Sequence, residues 1–402
     1  MKNTFLCLFI LLISICSYSQ EKQLLPKGVI VDSVKIANTD NESYAVYLPK
    51  QYRREVPSAI VFIFDPGGRG KVGIEPFVLA AETYKYILVC SNNSKNGPTD
   101  VNLEIANHLF ESVSTEFNLN PSELYISGFS GGARLAGSMA VSSGAFQGVI
   151  ACGASFNEMD KFALHDASFS YVGMVGDKDM NYQEMIKNEE WLNKMMVKNT
   201  LFVSHQIHTW PSQKEMLRAF DWLEIQASKN SIRKPKETTI KKIYDENLKI
   251  ADSLKGKNEM ILAIVEYERC NAIYDNRGDE KIKTTIDSIK KSKEYENQIS
   301  KRDEVSVLEN EITNSILNQF DKELKVAKSE NDFKFWKIEL KKLDDRKTKS
   351  KDIAIKNMVD RIKFMTKALV YEAAQESKRN FQNDKLLYCK ELEKVIQLYD
   401  SK

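Results

Sequence analysis

The chain passes from an apolar run through a glycine-rich turn into a helical pattern at Tyr125-Ile126-Ser127-Gly128-Phe129-Ser130-Gly131-Gly132-Ala133. A serine in a Gly-x-Ser-x-Gly turn between a strand and a helix has a strained backbone, and its hydroxyl stands above the carboxyl edge of the sheet. A Cβ at Gly128 or Gly132 would collide with neighbouring backbone in such a turn. We therefore predict that Ser130 is a nucleophile and that the N–H of Gly131, at a helix N-terminus, faces a developing oxyanion. On its own, the pattern is also compatible with a glycine-rich turn before a closely packed helix.

Short apolar runs lie before and after this turn along the chain. They are Tyr44 to Leu48, Ala59 to Phe64, Ile87 to Cys90, Leu124 to Ile126, Gly148 to Cys152 and Tyr171 to Val175. Near-continuous apolar runs of this length are typical of strands covered on both faces. Helical patterns alternate with them at Val101 to Phe117, Gly132 to Val141 and Gln183 to Val197. This alternation predicts a doubly wound, mostly parallel α/β sheet.

An acid and a histidine follow Ser130 in the order serine, acid, histidine, which a triad on an α/β sheet of this type requires. The apolar run Tyr171 to Val175 ends in a Gly-x-x-Asp pattern that closes on Asp179, and a later apolar run leads to His208. A carboxylate at the end of a strand is able to orient an imidazole on a neighbouring loop. We predict Asp179 as the acid and His208 as the general base, with Asp177 as the alternative acid.

Few residues are candidates for the general base, because the sequence contains four His residues. His108 lies within a helical pattern, and His165 precedes the acid-bearing strand. His205 lies inside the last predicted strand, where a structural role is expected. His208 lies at the carboxyl edge of that strand, which is where a base for Ser130 has to be.

The composition excludes several classes of protein. The chain has 402 residues, 42% of them hydrophobic, and a formal net charge of +2, so collagen-like, disordered and strongly basic nucleic-acid-binding proteins are excluded. No CxxC pair occurs, and we expect neither a metal site nor a bound cofactor. Cys90 and Cys152 lie in apolar runs and are expected to be buried free thiols, with a disulfide between them as the disfavoured alternative.

The N-terminus has the pattern of a signal peptide. Lys2 supplies a positive charge, Phe5 to Ile15 form a short apolar core, and Ser17 and Ser19 provide small residues before a cleavage site. We predict that residues 1–19 are removed and that the protein is exported, to the periplasm or the medium. A lipid anchor on Cys16 or a retained signal anchor is the alternative. No later run is long and apolar enough to suggest a transmembrane span.

The last part of the chain has a different composition. All nine prolines lie at or before Pro235, and the residues that follow are rich in charge and poor in glycine. We predict an α/β domain over residues 20–230 and an all-α domain of helical hairpins over residues 236–402, weakly similar to tetratricopeptide arrays. Helices are predicted at Asn258 to Tyr274, Ala368 to Phe381 and Lys385 to Tyr399. Three roles are open for this part: a lid, a dimerisation module, or a docking surface for a protein or polymer.

Over roughly residues 28–228 the sequence resembles the α/β-hydrolase family, in particular exported esterases of the polyhydroxybutyrate depolymerase and the feruloyl or acetyl xylan esterase type. The matching features are Tyr44-Ala45-Val46-Tyr47-Leu48-Pro49, the Gly-x-Ser-x-Gly at Ser130, the Gly-x-x-Asp at Asp179 and His208-Thr209-Trp210-Pro211. The resemblance implies that Ser130 is the nucleophile, Asp179 the acid and His208 the base.

The sequence departs from these esterases in the loop that usually carries His-Gly, which here reads Phe64-Asp65-Pro66-Gly67-Gly68-Arg69-Gly70. Pro66 has no N–H to donate, so the second oxyanion donor is expected to be the N–H of Gly67 or Gly68. Asp65 would repel a developing anion unless Arg69 or another cation neutralised it. The residues before the base, Gln206 and Ile207, also differ from the small residues that are usual there.

These features predict acyl transfer, in which Ser130 attacks the carbonyl of a small-molecule or polymeric ester and water hydrolyses the acyl-enzyme. Two alternatives remain. The same triad cleaves amides in serine peptidases. A hydrolase fold that has lost activity would instead act as a scaffold, with the helical part recruiting a protein partner.

Overall fold

The computed structural model describes residues 25–157, 160, 164, 168–274, 279–327 and 332–399, so the predicted signal peptide, His165 and residues 275–278 lie outside the described residues. Its centre is an eight-stranded sheet with the strand order β1-β2-β4-β3-β5-β6-β7-β8. The strands are β1 Ile30–Lys35, β2 Ser43–Tyr47, β3 Ser58–Phe64, β4 Ile87–Ser91, β5 Leu119–Phe129, β6 Gly148–Cys152, β7 Ser170–Gly176 and β8 Asn199–Ser204. β1 and β2 are antiparallel to their neighbours, and every pairing from β4 to β8 is parallel.

Both faces of the sheet are covered, because successive side chains of a strand point to opposite sides. In β3, the side chains of Ile60, Phe62 and Phe64 enter one apolar cluster. Those of Val61 and Ile63 enter the other. The predicted doubly wound, mostly parallel α/β sheet is therefore confirmed.

Helices of the first half pack on both faces of this sheet. They are α1 Gly70–Ile74, α2 Val78–Tyr84, α3 Thr99–Glu116, α4 Gly131–Ser143, α5 Tyr182–Lys194 and α6 Gln213–Lys229, with a 3-10 turn at Glu75–Phe77. α3 and α4 cover one face through residues such as Leu109 and Ala136. α2 and α6 cover the other through residues such as Ala80 and Phe220.

The second half is helical, as predicted. Its helices are α7 Glu237–Gly256, α8 Met260–Asn271, α9 Glu280–Lys290, α10 Lys293–Val326, α11 Lys334–Lys349, α12 Ile353–Arg379 and α13 Asn383–Gln397. α7 to α9 share one apolar cluster, and α10 to α13 share another that is centred on Trp336 and Tyr388. α12 begins well before Ala368, where the sequence pattern had placed the start of a helix.

The segment between the halves is tied to the sheet domain. Arg233, which lies between α6 and α7, pairs with Glu123 and with Glu224, and its guanidinium lies over the ring of Tyr86. The four cysteines of the described residues, Cys90, Cys152, Cys270 and Cys389, are buried free thiols, so Cys90 and Cys152 do not form a disulfide. Within the described ranges, no helix has the length and apolar character needed to cross a bilayer.

Candidate active site

Ser130 occupies the strained turn that the sequence predicts. It follows β5 and caps the N-terminus of α4 with φ 52° and ψ −122°, a positive φ that L-residues seldom adopt. A Cβ on Gly128 would overlap the carbonyl of Gly132, and a Cβ on Gly132 would overlap the carbonyl of Phe64. The two glycines therefore allow α4 to approach β5 and β3 closely enough to form the turn. The side chain of Ser130 is half-buried at the carboxyl edge of the sheet.

His208 and Asp179 form a buried imidazole–carboxylate pair. Nδ1 of His208 lies 2.8 Å from Oδ1 and 2.9 Å from Oδ2 of Asp179. The side chains of His208 and Asp179 are 8% and 1% exposed, respectively. Because an ionised carboxylate only accepts hydrogen bonds, Nδ1 carries the proton and Nε2 is left as the acceptor in the neutral ring. This is the tautomer that a general base needs.

Backbone and amide contacts hold Asp179 in this position. The N–H of Asn181 donates to Oδ1 of Asp179 over 2.8 Å, and the side-chain amide of Asn181 donates to the carbonyl of Gly153 over 2.6 Å. Asn181 thus links the acid loop after β7 to the segment after β6. Asn181 was not predicted from the sequence, because its role depends on a residue 28 positions away.

Ser130 and His208 lie against the same segment of chain. The N–H of Ser130 donates to the carbonyl of Cys152 over 2.8 Å. At the next residue, a Cβ on Gly153 would lie 3.1 Å from Cε1 of His208. The ring of Phe129 lies with its centroid 4.5 Å from that of His208. Among the described residues, no hydrogen bond joins the hydroxyl of Ser130 to the ring of His208, and such bonds are commonly loose before substrate binds.

Asp177 pairs with a different histidine. Its Oδ2 lies 2.7 Å from Nδ1 of His205, and Nε2 of His205 lies 3.2 Å from Oε2 of Glu259 in the helical half. In the structure, Asp179 therefore pairs with His208, and Asp177 pairs with His205. His205 follows the end of β8, so its predicted position inside the strand is wrong, and its side chain is 65% exposed.

The N–H of Gly131 is one of the first four of α4, which have no partner within the helix. The N–H of Gly67 donates to Oδ1 of Asp65 over 2.9 Å, and that of Gly68 donates to the Asp65 carbonyl over 3.0 Å. The oxyanion role of Gly67 or Gly68 stays a prediction, and it requires one of these N–H groups to exchange its bond to Asp65 for one to the substrate.

The charge of Asp65 is neutralised within its own turn. Nε and Nη2 of Arg69 donate to the two carboxylate oxygens over 2.8 and 3.0 Å, and Nε1 of Trp210 donates to Oδ2 over 2.9 Å. Burial raises the pKa of Asp65, but the hydrogen bonds from Arg69, Trp210 and Gly67 outweigh burial and hold the pKa below its usual range. The indole of Trp210 thus joins the loop of the base to the turn at residues 65–70.

A partly buried ion pair supports the segment after β6. Arg134, on the first turn of α4, binds both carboxylate oxygens of Glu184 over 2.9 and 2.7 Å. Glu184 also accepts from the N–H and the hydroxyl of Ser155 over 2.9 and 2.6 Å. The pair therefore fixes α4, α5 and the chain just after Gly153 relative to one another. The sequence pattern contained no signal for this link.

The helical half reaches the same site. The ring of Phe364, on α12, lies with its centroid 5.5 Å from that of His208. Nη1 of Arg361 donates to the carbonyl of Asp177 over 2.6 Å. No residue of this half was predicted to belong to the site. In the part of the chain that the structure describes, no group of three or more His, Cys, Asp or Glu residues is arranged to hold a metal ion.

Solved structures with similar folds are esterases and serine hydrolases. S-formylglutathione hydrolase from Staphylococcus aureus is 16% identical with a TM-score of 0.40, over 50% of this chain and 99% of that chain. A feruloyl esterase module from Clostridium thermocellum is 14% identical with a TM-score of 0.41, over 49% and 87%. An esterase from Pyrobaculum calidifontis is 11% identical with a TM-score of 0.40, over 50% and 86%. No protein-family model and no curated protein sequence matches the chain.

Proposed function

We propose that this chain is an exported serine hydrolase that cleaves carboxylic esters through an acyl-enzyme. The observation that carries the proposal is the bond from Nδ1 of His208 to both oxygens of Asp179, next to a serine at φ 52° on a strand-to-helix turn. Export rests on the sequence pattern of residues 1–19 alone. The substrate is a small-molecule or polymeric ester.

In the proposed reaction each group of the site acts once in acylation and once in deacylation. Nε2 of His208 takes the proton of Ser130 as Oγ bonds to the ester carbonyl carbon, and the carbonyl oxygen becomes an oxyanion facing the N–H of Gly131. His208 then gives that proton to the departing alcohol oxygen as the carbon–oxygen bond breaks. Water repeats the attack on the acyl-enzyme and releases the acid and free Ser130. Asp179 holds the imidazole and stabilises its charged form.

The neutralised Asp65 supports an active site rather than an inactive scaffold. A bare carboxylate beside the oxyanion would oppose the charge that forms there, whereas the guanidinium of Arg69 offsets that charge. This neutralisation supports the proposal that Ser130, His208, Asp179 and the N–H of Gly131 carry out acyl transfer, with the second oxyanion donor still a prediction.

Ester hydrolysis by matched variants tests the proposal. We expect Ser130→Ala and His208→Ala to lower kcat for p-nitrophenyl acetate by at least about 10³-fold, since the nucleophile or base is lost. Ser142→Ala on the same helix and His108→Gln on α3 serve as controls that retain activity. Full activity in Ser130→Ala, with a folded circular dichroism spectrum, would contradict the proposal.

A further inference from the structure

The helix α12 is fastened to the loop that carries Asp179. Arg361 of α12 donates to the carbonyl of Asp177 over 2.6 Å, and its guanidinium lies over the ring of Tyr182. Its other nitrogens bind both oxygens of Glu309 on α10 over 2.7 and 2.6 Å. Glu309 in turn accepts from Gln183 of α5 over 2.9 Å. The Arg361 side chain is 4% exposed, so this is a buried anchor rather than a surface contact.

Phe364 lies on the same face of α12 as Arg361, since residues three apart are neighbours on a helix. Among the described residues, the apolar cluster inside the helical half includes Met358, Ile362 and Val370 but not Phe364. Its ring instead contacts His208 of the other half. A large apolar side chain thus leaves the core of its own half and covers the imidazole of the candidate base.

The position of the departing alcohol in the reaction indicates which part of an ester would contact Phe364. The general base becomes the acid that protonates the departing alcohol, so the alcohol oxygen has to lie within hydrogen-bond reach of Nε2 of His208. The carbonyl oxygen lies instead toward the N–H of Gly131. A side chain packed on the ring of His208 is therefore next to the alcohol portion and away from the oxyanion.

We propose that Phe364 is a specificity-determining residue: it forms the wall against which the alcohol portion of the ester packs, and it favours flat apolar alcohols such as phenols. This inference rests on the proposed function. The helical half then completes the substrate site. Of the three roles predicted for it, this is the role of a lid over the cleft.

The proposal predicts different effects on acylation and deacylation, the two steps of the reaction. The alcohol is present while the serine is acylated and has left before water attacks the acyl-enzyme. Removing the Phe364 ring should therefore change acylation and leave deacylation unchanged. A residue that only stabilised the fold would alter both steps or neither.

Two esters that form the same acetyl-enzyme, phenyl acetate and ethyl acetate, test this directly. For Phe364→Ala we expect the ratio of kcat/KM for phenyl acetate to kcat/KM for ethyl acetate to fall at least fivefold relative to the wild type. The ratio for Phe364→Leu should lie between those of the wild type and Phe364→Ala. The intrinsic reactivities of the esters cancel in this comparison, and each ratio is independent of the amount of active enzyme. Phe381→Ala is the control, because Phe381 is an aromatic residue with 89% exposure beyond the end of α12.

Two further measurements complete the test. The rate constant of deacylation of the acetyl-enzyme and the preference for p-nitrophenyl acetate over p-nitrophenyl butyrate should stay within twofold of the wild type in Phe364→Ala. A phenyl-to-ethyl ratio that stays within twofold, or a change confined to the acyl preference, would overturn the inference while the proposed function stands. A wild-type protein that hydrolyses esters no faster than Ser130→Ala would contradict the proposed function instead.

Discussion

Asp177 and Asp179 lie two residues apart on one loop, and each carboxylate binds a different imidazole. Asp179 lies inside the site, where Asn181 holds it and both of its oxygens contact His208. Asp177 faces outward to His205. Gly176 allows this arrangement, because a Cβ there would overlap the carbonyl of Gln206 on the loop of the base.

Replacing Asp179 with Asn should lower kcat by about 10⁴-fold, because an amide N–H at Nδ1 favours the tautomer that cannot accept the proton of Ser130. Asp177→Asn should lower it less than about tenfold, since its partner is His205. The measurement is kcat for p-nitrophenyl acetate at pH 8 on both purified variants. A larger loss in Asp177→Asn would show that the pairing is assigned to the wrong carboxylate.

The candidate residues of the site were predictable, whereas the contacts that separate the two acids were not. A serine between glycines after an apolar run, followed by an acid and a histidine at the ends of later runs, points to Ser130 and His208, and the Gly-x-x-Asp pattern favours Asp179 over Asp177. Both acids follow the same strand, so the direction in which each side chain points could not be derived from the sequence. That direction is set by Asn181 and by the contact of Gly176 with a loop thirty residues later along the chain.

The strand-to-helix turn depends on how closely three elements approach one another. β5, α4 and β3 meet at Gly128, Gly132 and Phe64, where no room is left for a Cβ. The turn holds Ser130 at a positive φ because the surrounding backbone is fixed. Its geometry is thus a property of packed elements and not of the serine.

Gly132→Ala should destabilise the protein by about 3 kcal/mol, because the new methyl group overlaps the backbone carbonyl of Phe64, which has no flexible side chain to move away. Gly97→Ala is the matched control, since its Cβ would meet no atom nearer than the carbonyl of Lys95 at 3.7 Å, and it should change stability by less than about 1 kcal/mol. Urea unfolding followed by circular dichroism measures both. Equal midpoints for the two variants would show that the close approach at Gly132 is not needed.

The central strands were predictable because they are buried on both faces and read as continuous apolar runs. β1, Ile30–Lys35, was missed because it is an edge strand with polar and partly exposed residues. The start of α12 at Ile353 was missed because Asp352, which caps the helix by accepting from the N–H of Ala354, lies among many other charged residues. The contact of Phe364 with His208 was not accessible from the sequence, since it depends on how the two halves pack.

At the scale of the whole molecule, the two halves meet around the acid loop. Arg361 of α12 contacts this loop at Asp177, Phe364 of the same helix contacts His208, and Glu259, which precedes α8, reaches His205. Oδ2 of Asp177 and Oε2 of Glu259 contact the two nitrogens of the His205 ring from opposite halves. His205 is therefore a charged bridge between the halves when it is protonated.

This bridge should make stability depend on pH. The hydrogen bond to Asp177 raises the pKa of His205 above its ordinary value of 6.5, burial opposes the rise, and the charges of Asp177 and Glu259 add to it. A raised folded-state pKa means that the stabilisation is complete below pH 6.5 and is lost as the pH rises through the folded-state pKa. His205→Gln should therefore have a lower Tm than the wild type at pH 6 and a nearly equal Tm at pH 9.

Thermal unfolding of the wild type and His205→Gln at pH 6 and pH 9 measures this difference in Tm. His108→Gln is the control for loss of another histidine–carboxylate pair, because His108 binds Glu42 on the sheet domain and does not join the two halves. A Tm difference between wild type and His205→Gln that grows from pH 6 to pH 9 would contradict the bridge.

The identity of the nucleophile is tested most directly by the mass of the protein after treatment with a fluorophosphonate, which phosphonylates an activated serine and releases fluoride. We expect one adduct per chain, on the peptide that contains Ser130, with formation abolished in Ser130→Ala and strongly slowed in His208→Ala. An adduct on another serine, or an unmodified wild-type protein that is folded, would contradict the account.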